Sequence, residues 1–350
     1  MKRKTKEKLY MERRISEMNA GMKKAGKEFQ PSKYWVKLNE EHLNKLETYG
    51  FKNFKRNIVR NYFTAINLHF IEMQTKFLFK QIPTKRILFF LINSILIKKH
   101  KYIGLIQSIN YNFKTYLLWE YVTRFDKDKV LENIDEPLVG NPPRVYYQHK
   151  LISSDLANTA MEYYSIMNVL DSKANNIKII CELGAGYGRT AHFFLSQMKR
   201  IKYIIIDIPP ALFIAEQYLS QVFPKKRVFK YQEFRSFKDI EGEWNRSDII
   251  FLLSSQIKLI PKGYADLFIN ISSFHEMRVN QIKYFFSHIE RITRDDGFFY
   301  LKEWKDSLIP FENIHIKMDD YPISKKWQII YMREAKIQTA FFETLLKKKE

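Results

Sequence analysis

The spacing of apolar residues divides the chain into a helical first part and a later part in which strands and helices alternate. Within residues 1–30, Ile15, Met18 and Met22 recur at helical spacing, which predicts a basic helix or a frayed arm. The stretch NEEHLNKLETYG, residues 39–50, begins with acids and closes with glycine, so it predicts a short capped helix.

Long aromatic-rich segments follow over residues 54–125, and they predict helices with a break near Pro83. The stretch DEPLVGNPPRV then carries three prolines and one glycine, which indicates a loop or a boundary. Residues 153–170 open with serines and an aspartate and continue in a pattern typical of a helix.

Five apolar segments separated by helical patterns occupy the remainder of the chain: IKIICELGAG, KYIIIDIPP, IIFLLSSQI, ADLFINIS and GFFYLKEW. Strands that alternate with helices indicate βαβ units, and hence a mainly parallel sheet with helices on both faces. We therefore predict an α/β, Rossmann-like domain over residues 151–350. An arm or helix at residues 1–30 and a mainly helical region at residues 31–150 would precede it.

Charge is unevenly spread along this pattern. The formal net charge is +21, and residues 1–150 hold 30 Lys and Arg against 14 Asp and Glu. Residues 51–101 hold 11 basic residues and a single acid, Glu72. Such a surface favours an anionic partner: a membrane surface, a nucleic acid, or a phosphorylated or acidic substrate. A solvated helical face in a basic protein is the alternative.

The longest uncharged apolar run, ILFFLINSILI, has 11 residues, short of the roughly 20 that a bilayer span needs. The basic start lacks the apolar segment of a secretory signal, and Cys181 is the only cysteine. We therefore expect a cytoplasmic protein without a transmembrane helix. Residues 85–101 have basic flanks and fit either a core helix or a helix lying at the inner face of the membrane.

The first strand of the later part runs into a glycine loop with Gly184, Gly186 and Gly188, and a helix begins near Arg189. Glycines there let the backbone turn tightly and approach a nucleotide-like ligand closely. Arg189 occupies the position of the last glycine of a dinucleotide fingerprint, which counts against NAD or FAD. A plain turn without a ligand is the alternative.

Two acids accompany this loop. Glu182 lies at the end of the strand before it, and Asp207 ends the next strand. An acid at the end of the second strand is the usual acceptor for ribose hydroxyls, although Asp207 could instead cap the turn before Pro209.

The segments CELGAGYGRTAHFFL, YIIIDIPPALFIAEQYL, LFINISSFHEM and FFYLKEW resemble the sugar O-methyltransferase family found among glycan and polysaccharide biosynthesis genes. The similarity runs from about Pro31, through PSKYW, to FFETL, and is weak over residues 66–130. It implies a class I methyltransferase sheet, S-adenosyl-L-methionine as the cofactor, and methyl transfer to a hydroxyl of a sugar or glycan. That acceptor could be free, nucleotide-linked or lipid-linked.

The resemblance also implies roles for the residues named above. The loop of Gly184, Gly186 and Gly188 would pass under the methionine part of the cofactor, Glu182 would contact that part, and Asp207 would bind the ribose.

Three further residues join the implied cofactor site. Leu253 and Ser254, at the end of the third strand, would lie against adenine. Tyr187 would either face the sulfonium through a cation–π contact or form a wall of the pocket.

The segment SFHEM follows the fourth strand, beyond the carboxyl end of the sheet, where a ligand crevice lies. An alcohol loses its proton as it is methylated, and an imidazole with a pKa of about 6.5 accepts a proton near neutrality. We therefore predict His275 as the general base, the alternative being a packed residue at a helix start. Glu276 could orient the substrate, pair with a basic residue, or be the base itself.

Lys302, Glu303 and Trp304, at the end of the fifth strand, are candidate acceptor-site residues, the favoured alternative for any one of them being an ordinary strand end with an anchoring tryptophan. We predict no metal site, because the His275–Glu276 pair lacks the second histidine of an HExxH motif.

Two other functions stay open, and the sequence does not fix an oligomeric state. The basic first half would suit an RNA methyltransferase, but no RNP motif is visible, which disfavours a nucleic-acid partner. A non-enzymatic membrane-surface or scaffold protein with a vestigial methyltransferase fold is the second alternative.

Overall fold

The computed structural model describes residues 6–58, 68–96, 100, 104–309 and 314–350. Its α-helices are α1 (Lys6–Lys24), α2 (Lys33–Tyr49), α3 (Phe54–Asn57), α4 (Leu68–Gln81), α5 (Thr84–Leu96), α6 (Leu105–Val122), α7 (Ser154–Leu170), α8 (Arg189–Gln197), α9 (Ala211–Val222), α10 (Glu241–Arg246) and α11 (Val279–Ile292). Its strands are β1 (Val145–Tyr147), β2 (Lys150–Ile152), β3 (Ile179–Leu183), β4 (Lys202–Asp207), β5 (Val228–Phe229), β6 (Ile249–Leu253), β7 (Ala265–Ile271), β8 (Thr293–Trp304), β9 (Asp306–Ile309), β10 (Ile314–Lys317), β11 (Trp327–Glu334) and β12 (Phe341–Lys348).

The chain forms two compact units. The sheet unit consists of residues 1–44, 172–335 and 340–350, and the helical unit consists of residues 45–171 and 336–339. Both units therefore draw on separate parts of the sequence. The predicted division into an arm at residues 1–30, a helical region at residues 31–150 and a methyltransferase domain at residues 151–350 is a division by function, and it stays a prediction.

Eight of the described strands form the main sheet, in the order β11-β12-β8-β7-β3-β4-β6-β5. The six strands from β8 to β5 are parallel, whereas β12 runs antiparallel to both of its neighbours. All of β6 and β7 is buried, as expected for a parallel sheet covered on both faces. The predicted α/β, Rossmann-like fold is confirmed, and the five predicted strands are β3, β4, β6, β7 and β8.

Strand order reverses at β3, which pairs with β4 on one side and β7 on the other. In an open parallel sheet, such a switch point places the loops after the two diverging strands on opposite sides of a crevice. The glycine loop follows β3, and the segment with His275 follows β7. The topology therefore brings together two motifs that lie about ninety residues apart in sequence.

The edge strand β5 and the hairpin of β11 and β12 were not predicted. Strand β5 has only two residues, too few to give a periodic signal, and β11 has only a short apolar run, whose Ile329 and Ile330 are exposed in the sheet. Pairing with β8 through β12 makes this part of the chain a strand.

Of the two alternatives for the N-terminal segment, the described residues form a helix, and it is docked on the sheet unit. The apolar stripe of α1, namely Met11, Ile15, Met18 and Met22, is buried. Arg14 on the same helix donates to both carboxylate oxygens of Glu216 in α9, at 3.3 and 3.0 Å, and Glu216 is fully buried.

Helix α2 begins at Lys33, six residues before the predicted start at residue 39. The hydroxyl of Ser32 accepts a hydrogen bond from the Trp35 backbone N–H at 3.3 Å and so caps the N-terminus of the helix. The acids of NEEHLNKLETYG, which predicted the start, lie inside the helix instead. The end is as predicted: Gly50 follows the helix with a φ of 72°.

In the helical unit, α6 packs against α4, α5 and α7. The predicted break at Pro83 separates α4 from α5, and the Ser153 hydroxyl caps α7 by accepting from the Leu156 backbone N–H at 3.0 Å. A small antiparallel hairpin, β1 and β2, lies after the proline-rich stretch and was not predicted. Over the ranges given above, no helix combines the length and the apolar character needed to cross a membrane.

The Arg14–Glu216 pair gives a test of how α1 is held. Arg14→Ala leaves a buried carboxylate without its cation, and removing one partner of a buried ion pair costs about 3–5 kcal/mol. Burial raises the pKa of Glu216 and Arg14 opposes this, so the loss of Arg14 raises that pKa further. The variant should therefore lose stability at neutral pH and regain part of it as the pH falls and Glu216 takes up a proton.

Urea denaturation at several pH values measures this effect. The exposed Arg13, whose side chain is 69% accessible on the same helix, gives the control Arg13→Ala, which should lie within about 0.5 kcal/mol of wild type. Equal losses in the two variants would show that α1 does not depend on this pair.

Candidate active site at the carboxyl end of the sheet

The glycine loop is tight on one side and open on the other. A Cβ atom at Gly184 would lie 2.5 Å from the Cβ of Ser273, so a larger residue would push the loop away from the segment after β7. Gly186 has a φ of 60°, and among the described residues other than its two chain neighbours no heavy atom lies within 4 Å of the place of its missing Cβ. The loop therefore touches the His275-bearing segment and leaves bare backbone beside open space.

The side chain of Asp207, at the end of β4, binds the backbone of the glycine loop. Its carboxylate accepts hydrogen bonds from the N–H groups of Gly186 at 2.8 Å and Ile208 at 2.7 Å. Burial raises the pKa of Asp207 to about 7, against the effect of these two donors and with a further contribution from the charge of Glu276. Asp207 and Glu276, from two different strand ends, thus share one electrostatic environment.

Glu182 is only 2% exposed and accepts a hydrogen bond from the Tyr203 hydroxyl at 2.8 Å. Burial and the charge of Glu182 raise the pKa of this phenol well above its usual value. The structure therefore gives Glu182 a partner inside the sheet, and its contact with a cofactor stays a prediction.

Tyr187 is 8% exposed, and its ring meets that of Tyr218 edge-on with 5.3 Å between the centroids. The choice between its two predicted roles, facing the sulfonium or forming a wall of the pocket, stays a prediction.

The residues predicted to face adenine are covered by α1. Leu253 and Ser254 are both buried, and the Ser254 hydroxyl lies 3.6 Å from the sulfur of Met22. Gly21 approaches Leu253 so closely that a Cβ there would lie 2.9 Å from its side chain. Sequence analysis did not predict that α1 covers these two residues. The apolar stripe that includes Met11, Met18 and Met22 was the sequence feature that could have indicated it.

The segment after β7 is held in a strained turn. Ser272 has a φ of 53°, a value rare for a residue with a side chain, and the next residues form one turn of 3₁₀ helix, Phe274–Glu276. The fully buried carboxylate of Glu303 in β8 accepts from the backbone N–H groups of Ser273 at 2.6 Å and Phe274 at 2.7 Å. Glu303 therefore fixes the shape of the turn, a role that the sequence did not reveal.

The same Glu303 orients His275. The Nδ1 atom of His275 lies 2.9 Å from the second carboxylate oxygen of Glu303, and its Nε2 atom lies 3.3 Å from Oε1 of Glu276. Burial lowers the pKa of His275, but the charges of Glu276 and Glu303 outweigh it and raise the pKa to about 10. The imidazole is therefore charged near neutral pH in this structure.

Two further residues, Asn270 and Tyr34, join this cluster. Asn270 donates to the carbonyl of Leu183 at 3.0 Å and to the Ser273 hydroxyl at 2.6 Å, which ties β7 to the start of the glycine loop. Burial and the charges of Glu276 and Glu41 raise the pKa of Tyr34, in α2, to about 12. Sequence analysis missed both residues as part of the site, although Tyr34 belongs to the quoted PSKYW stretch.

Of the candidate acceptor-site residues, Lys302 and Trp304 both contact Phe341. The Lys302 amine lies 5.9 Å from that ring, and the Trp304 ring lies 4.5 Å from it and 6.0 Å from the ring of His275. Trp304 is thus a neighbour of the imidazole.

The donor set fits a nucleoside ligand. Bare backbone lies beside Gly186, the Asp207 carboxylate stands at the strand end, and Oδ1 of the fully buried Asn270 has no hydrogen-bond partner among the described residues. Over the same part of the chain, no group of three or more His, Cys, Asp and Glu side chains is arranged to hold a metal ion.

No protein-family model and no curated protein sequence matches the chain. Among solved structures, the magnesium protoporphyrin IX methyltransferase of Synechocystis PCC 6803 with bound SAM is 12% identical, with a TM-score of 0.38, over 56% of this chain and 82% of that one. The 1,6-didemethyltoxoflavin-N1-methyltransferase of Burkholderia thailandensis with S-adenosylhomocysteine is 12% identical, with a TM-score of 0.35, over 67% and 88%. A SAM-dependent methyltransferase of Leishmania major is 12% identical, with a TM-score of 0.38, over 55% and 72%. At this similarity, the comparison identifies no substrate for the chain.

The His275 cluster predicts an unusual titration. Glu303→Gln removes one of the two negative charges beside the imidazole, so the pKa of His275 should fall from about 10 toward its ordinary value near 6.5. Because the folded-state pKa is raised, the wild-type ion pairs stabilise the protein fully below about pH 6.5, and this contribution is lost as the pH rises through about 10.

NMR titration of the histidine ring signals, with and without the substitution, measures the shift. The exposed His315, paired with Asp306 outside this cluster, gives a reference ring signal that the substitution should leave unchanged at any one pH. A wild-type His275 that loses its proton near pH 6.5 would contradict the assigned ion pairs.

Proposed function

We propose that the chain is an S-adenosyl-L-methionine-dependent O-methyltransferase that acts on a sugar or glycan hydroxyl, with His275 as the proton acceptor. The observation that carries the proposal is the approach of Gly184 to Ser273, because it puts the glycine loop beside the turn that presents His275. The sugar acceptor is supported by the sequence resemblance alone. It could be free, nucleotide-linked or lipid-linked.

The cofactor would be held by the loop and by Asp207. The backbone at Gly184, Gly186 and Gly188 is where the methionine part would lie, and the Asp207 carboxylate would accept from the ribose hydroxyls. Tyr187 would form a wall, and Leu253 and Ser254 would approach adenine beneath the cover of α1. When bound, S-adenosyl-L-methionine supplies an electrophilic methyl group on a sulfonium.

The chain's own part in the reaction is to position the acceptor and take its proton. As the acceptor oxygen bonds to the methyl carbon and the bond from that carbon to sulfur breaks, the acceptor proton would pass to Nε2 of an uncharged His275. Nδ1 would keep its hydrogen bond to Glu303 at 2.9 Å, and Nε2 lies at the longer distance of 3.3 Å from Glu276. Holding the reacting groups in line contributes about 7–11 kcal/mol, and general base catalysis contributes about 10²–10⁴-fold, or roughly 3–5 kcal/mol. Positioning is therefore the larger effect.

Glu276 is a second candidate for the proton acceptor. Its Oε2 atom is buried and has no hydrogen-bond partner among the described residues, while His275 is charged near neutral pH. If Glu276 takes the proton and a charged His275 orients it, activity falls as the pH rises through about 10. If His275 is the base, activity instead rises with pH over that range, since only the uncharged ring accepts a proton.

His275→Asn tests the proposed base. Asparagine keeps an N–H donor near Glu303, so the turn should survive, but it cannot accept the proton. We expect kcat to fall by about 10²–10⁴-fold, with the cofactor dissociation constant changed by less than about twofold. The assay is methyl transfer from S-adenosyl-L-methionine over a panel of nucleotide sugars and glycans, with pH profiles for wild type and variant.

The exposed His315 provides the matched control His315→Asn, which should keep full activity. A parallel loss of cofactor affinity and activity in His275→Asn would place this residue in the binding site or the core instead.

Asp207→Asn tests the cofactor site. A hydrogen bond to a charged group contributes about 1.5–3 kcal/mol, so the dissociation constant of S-adenosyl-L-methionine should rise roughly 10–100-fold. Because the pKa of Asp207 is raised to about 7, wild-type affinity should also weaken as the pH falls below 7 and the carboxylate takes up a proton.

Isothermal titration calorimetry of the wild type, of Asp207→Asn and of the exposed control Asp295→Asn measures both effects. Affinity that does not respond to the Asp207 substitution would remove the carboxylate from the ribose site.

A further inference from the structure

The outer face of helix α5 consists of large apolar side chains. On this face Leu88, Phe89, Ile92, Ile95 and Leu96 are 58%, 53%, 50%, 56% and 75% exposed. At 100° per residue, these five side chains fall within about one third of the helix circumference. An apolar face of this width is typical of a helix surface that contacts something else.

The opposite side of α5 is already used. Phe90 and Ser94 are fully buried, and Phe90 stacks on Tyr116 of α6 with 5.3 Å between the ring centroids. Ser94 donates to the carbonyl of Phe90 inside the same interface at 2.6 Å. The exposed face is therefore additional to the packing that holds α5 in the helical unit. The choice between the two alternatives from the sequence, a core helix and a helix at a membrane surface, stays a prediction, and residues 97–99 and 101 of that stretch lie outside the described residues.

Two further large apolar side chains, Leu105 and Ile106 at the start of α6, are 56% and 75% exposed. The charges along this part of the sequence have one sign, and Arg86 of α5 is paired with Glu120 of α6. Residues 76–101 contain seven Lys and Arg and no Asp or Glu, and Lys80 and Lys85 among them are exposed.

We propose that this face of α5, Leu88 to Leu96, docks on the surface of a bilayer that contains anionic phospholipid. Large apolar side chains between basic residues match an interfacial helix, which buries its apolar face at the headgroup boundary and attracts negative headgroups. A second copy of the chain fits less well, because a two-fold interface would place the two basic segments against each other. The proposal is independent of the proposed methyl transfer.

Vesicle flotation of the full chain tests it. The protein should float with vesicles of phosphatidylcholine and phosphatidylglycerol and at least about tenfold less with phosphatidylcholine alone, and added salt should weaken the binding. The double variant Leu88→Glu and Ile95→Glu should bind the anionic vesicles at least about tenfold less than wild type.

The matched control carries the same two charges on other exposed apolar positions. Leu138 and Ile329 are 60% and 51% exposed, so Leu138→Glu with Ile329→Glu should float like wild type. If the α5 variant unfolds, as circular dichroism would show, Lys80→Gln with Lys85→Gln replaces it and should lower binding to anionic vesicles about tenfold or more.

Three results would overturn the proposal: no binding to anionic vesicles, equal binding to neutral ones, or equal binding by the α5 and control variants. Analytical ultracentrifugation without lipid tests whether a second copy of the chain, rather than a bilayer, covers this face. A dimer that the α5 substitutions dissociate, in a protein that ignores vesicles, would assign this face to a second copy of the chain.

Discussion

The buried carboxylate of Glu303 is the constraint on which the candidate active site depends. A buried charge is stable only if donors surround it, and over the part of the chain that the structure describes Glu303 is bound by the backbone N–H groups of Ser273 and Phe274 and by the His275 ring. The carboxylate therefore fixes the path of the chain after β7, offsets the strain at Ser272, and binds Nδ1 of His275, which leaves Nε2 facing Glu276 at 3.3 Å. Asn270 joins this turn to the glycine loop, so both sides of the crevice rest on buried polar contacts.

Electrostatics then decides what the cluster can do. Asp207, His275, Glu276 and Glu303 lie near one another in poorly solvated surroundings, where two carboxylates keep the imidazole charged and the charge of Glu276 makes it harder for Asp207 to ionise. Groups whose pKa values are moved in this way are typical of functional sites, although structural ion pairs produce similar shifts. The same geometry explains why a general base role for His275 and one for Glu276 predict opposite pH dependence.

The N-terminal helix and the helical unit show two different uses of basic residues. In α1, Arg14 is drawn into the sheet unit by the buried Glu216, and a stripe of methionines covers the end of β6. In α5, the basic residues instead border an apolar face that remains exposed. Net charge alone does not distinguish these cases, since both segments are strongly basic in sequence.

The sequence by itself determined the elements whose signals are local. Apolar runs fixed β3, β4, β6, β7 and β8, Pro83 fixed the break between α4 and α5, and the spacing of Gly184, Gly186 and Gly188 marked the loop. It also identified His275 as a residue at a strand end. Only the tertiary structure decided which distant groups meet: Glu303 beneath the turn, Tyr34 near Glu276, α1 over Leu253 and Ser254, and the outward face of α5. These depend on strand order and on burial, which bring together residues far apart in the chain and therefore leave no periodic signal in it.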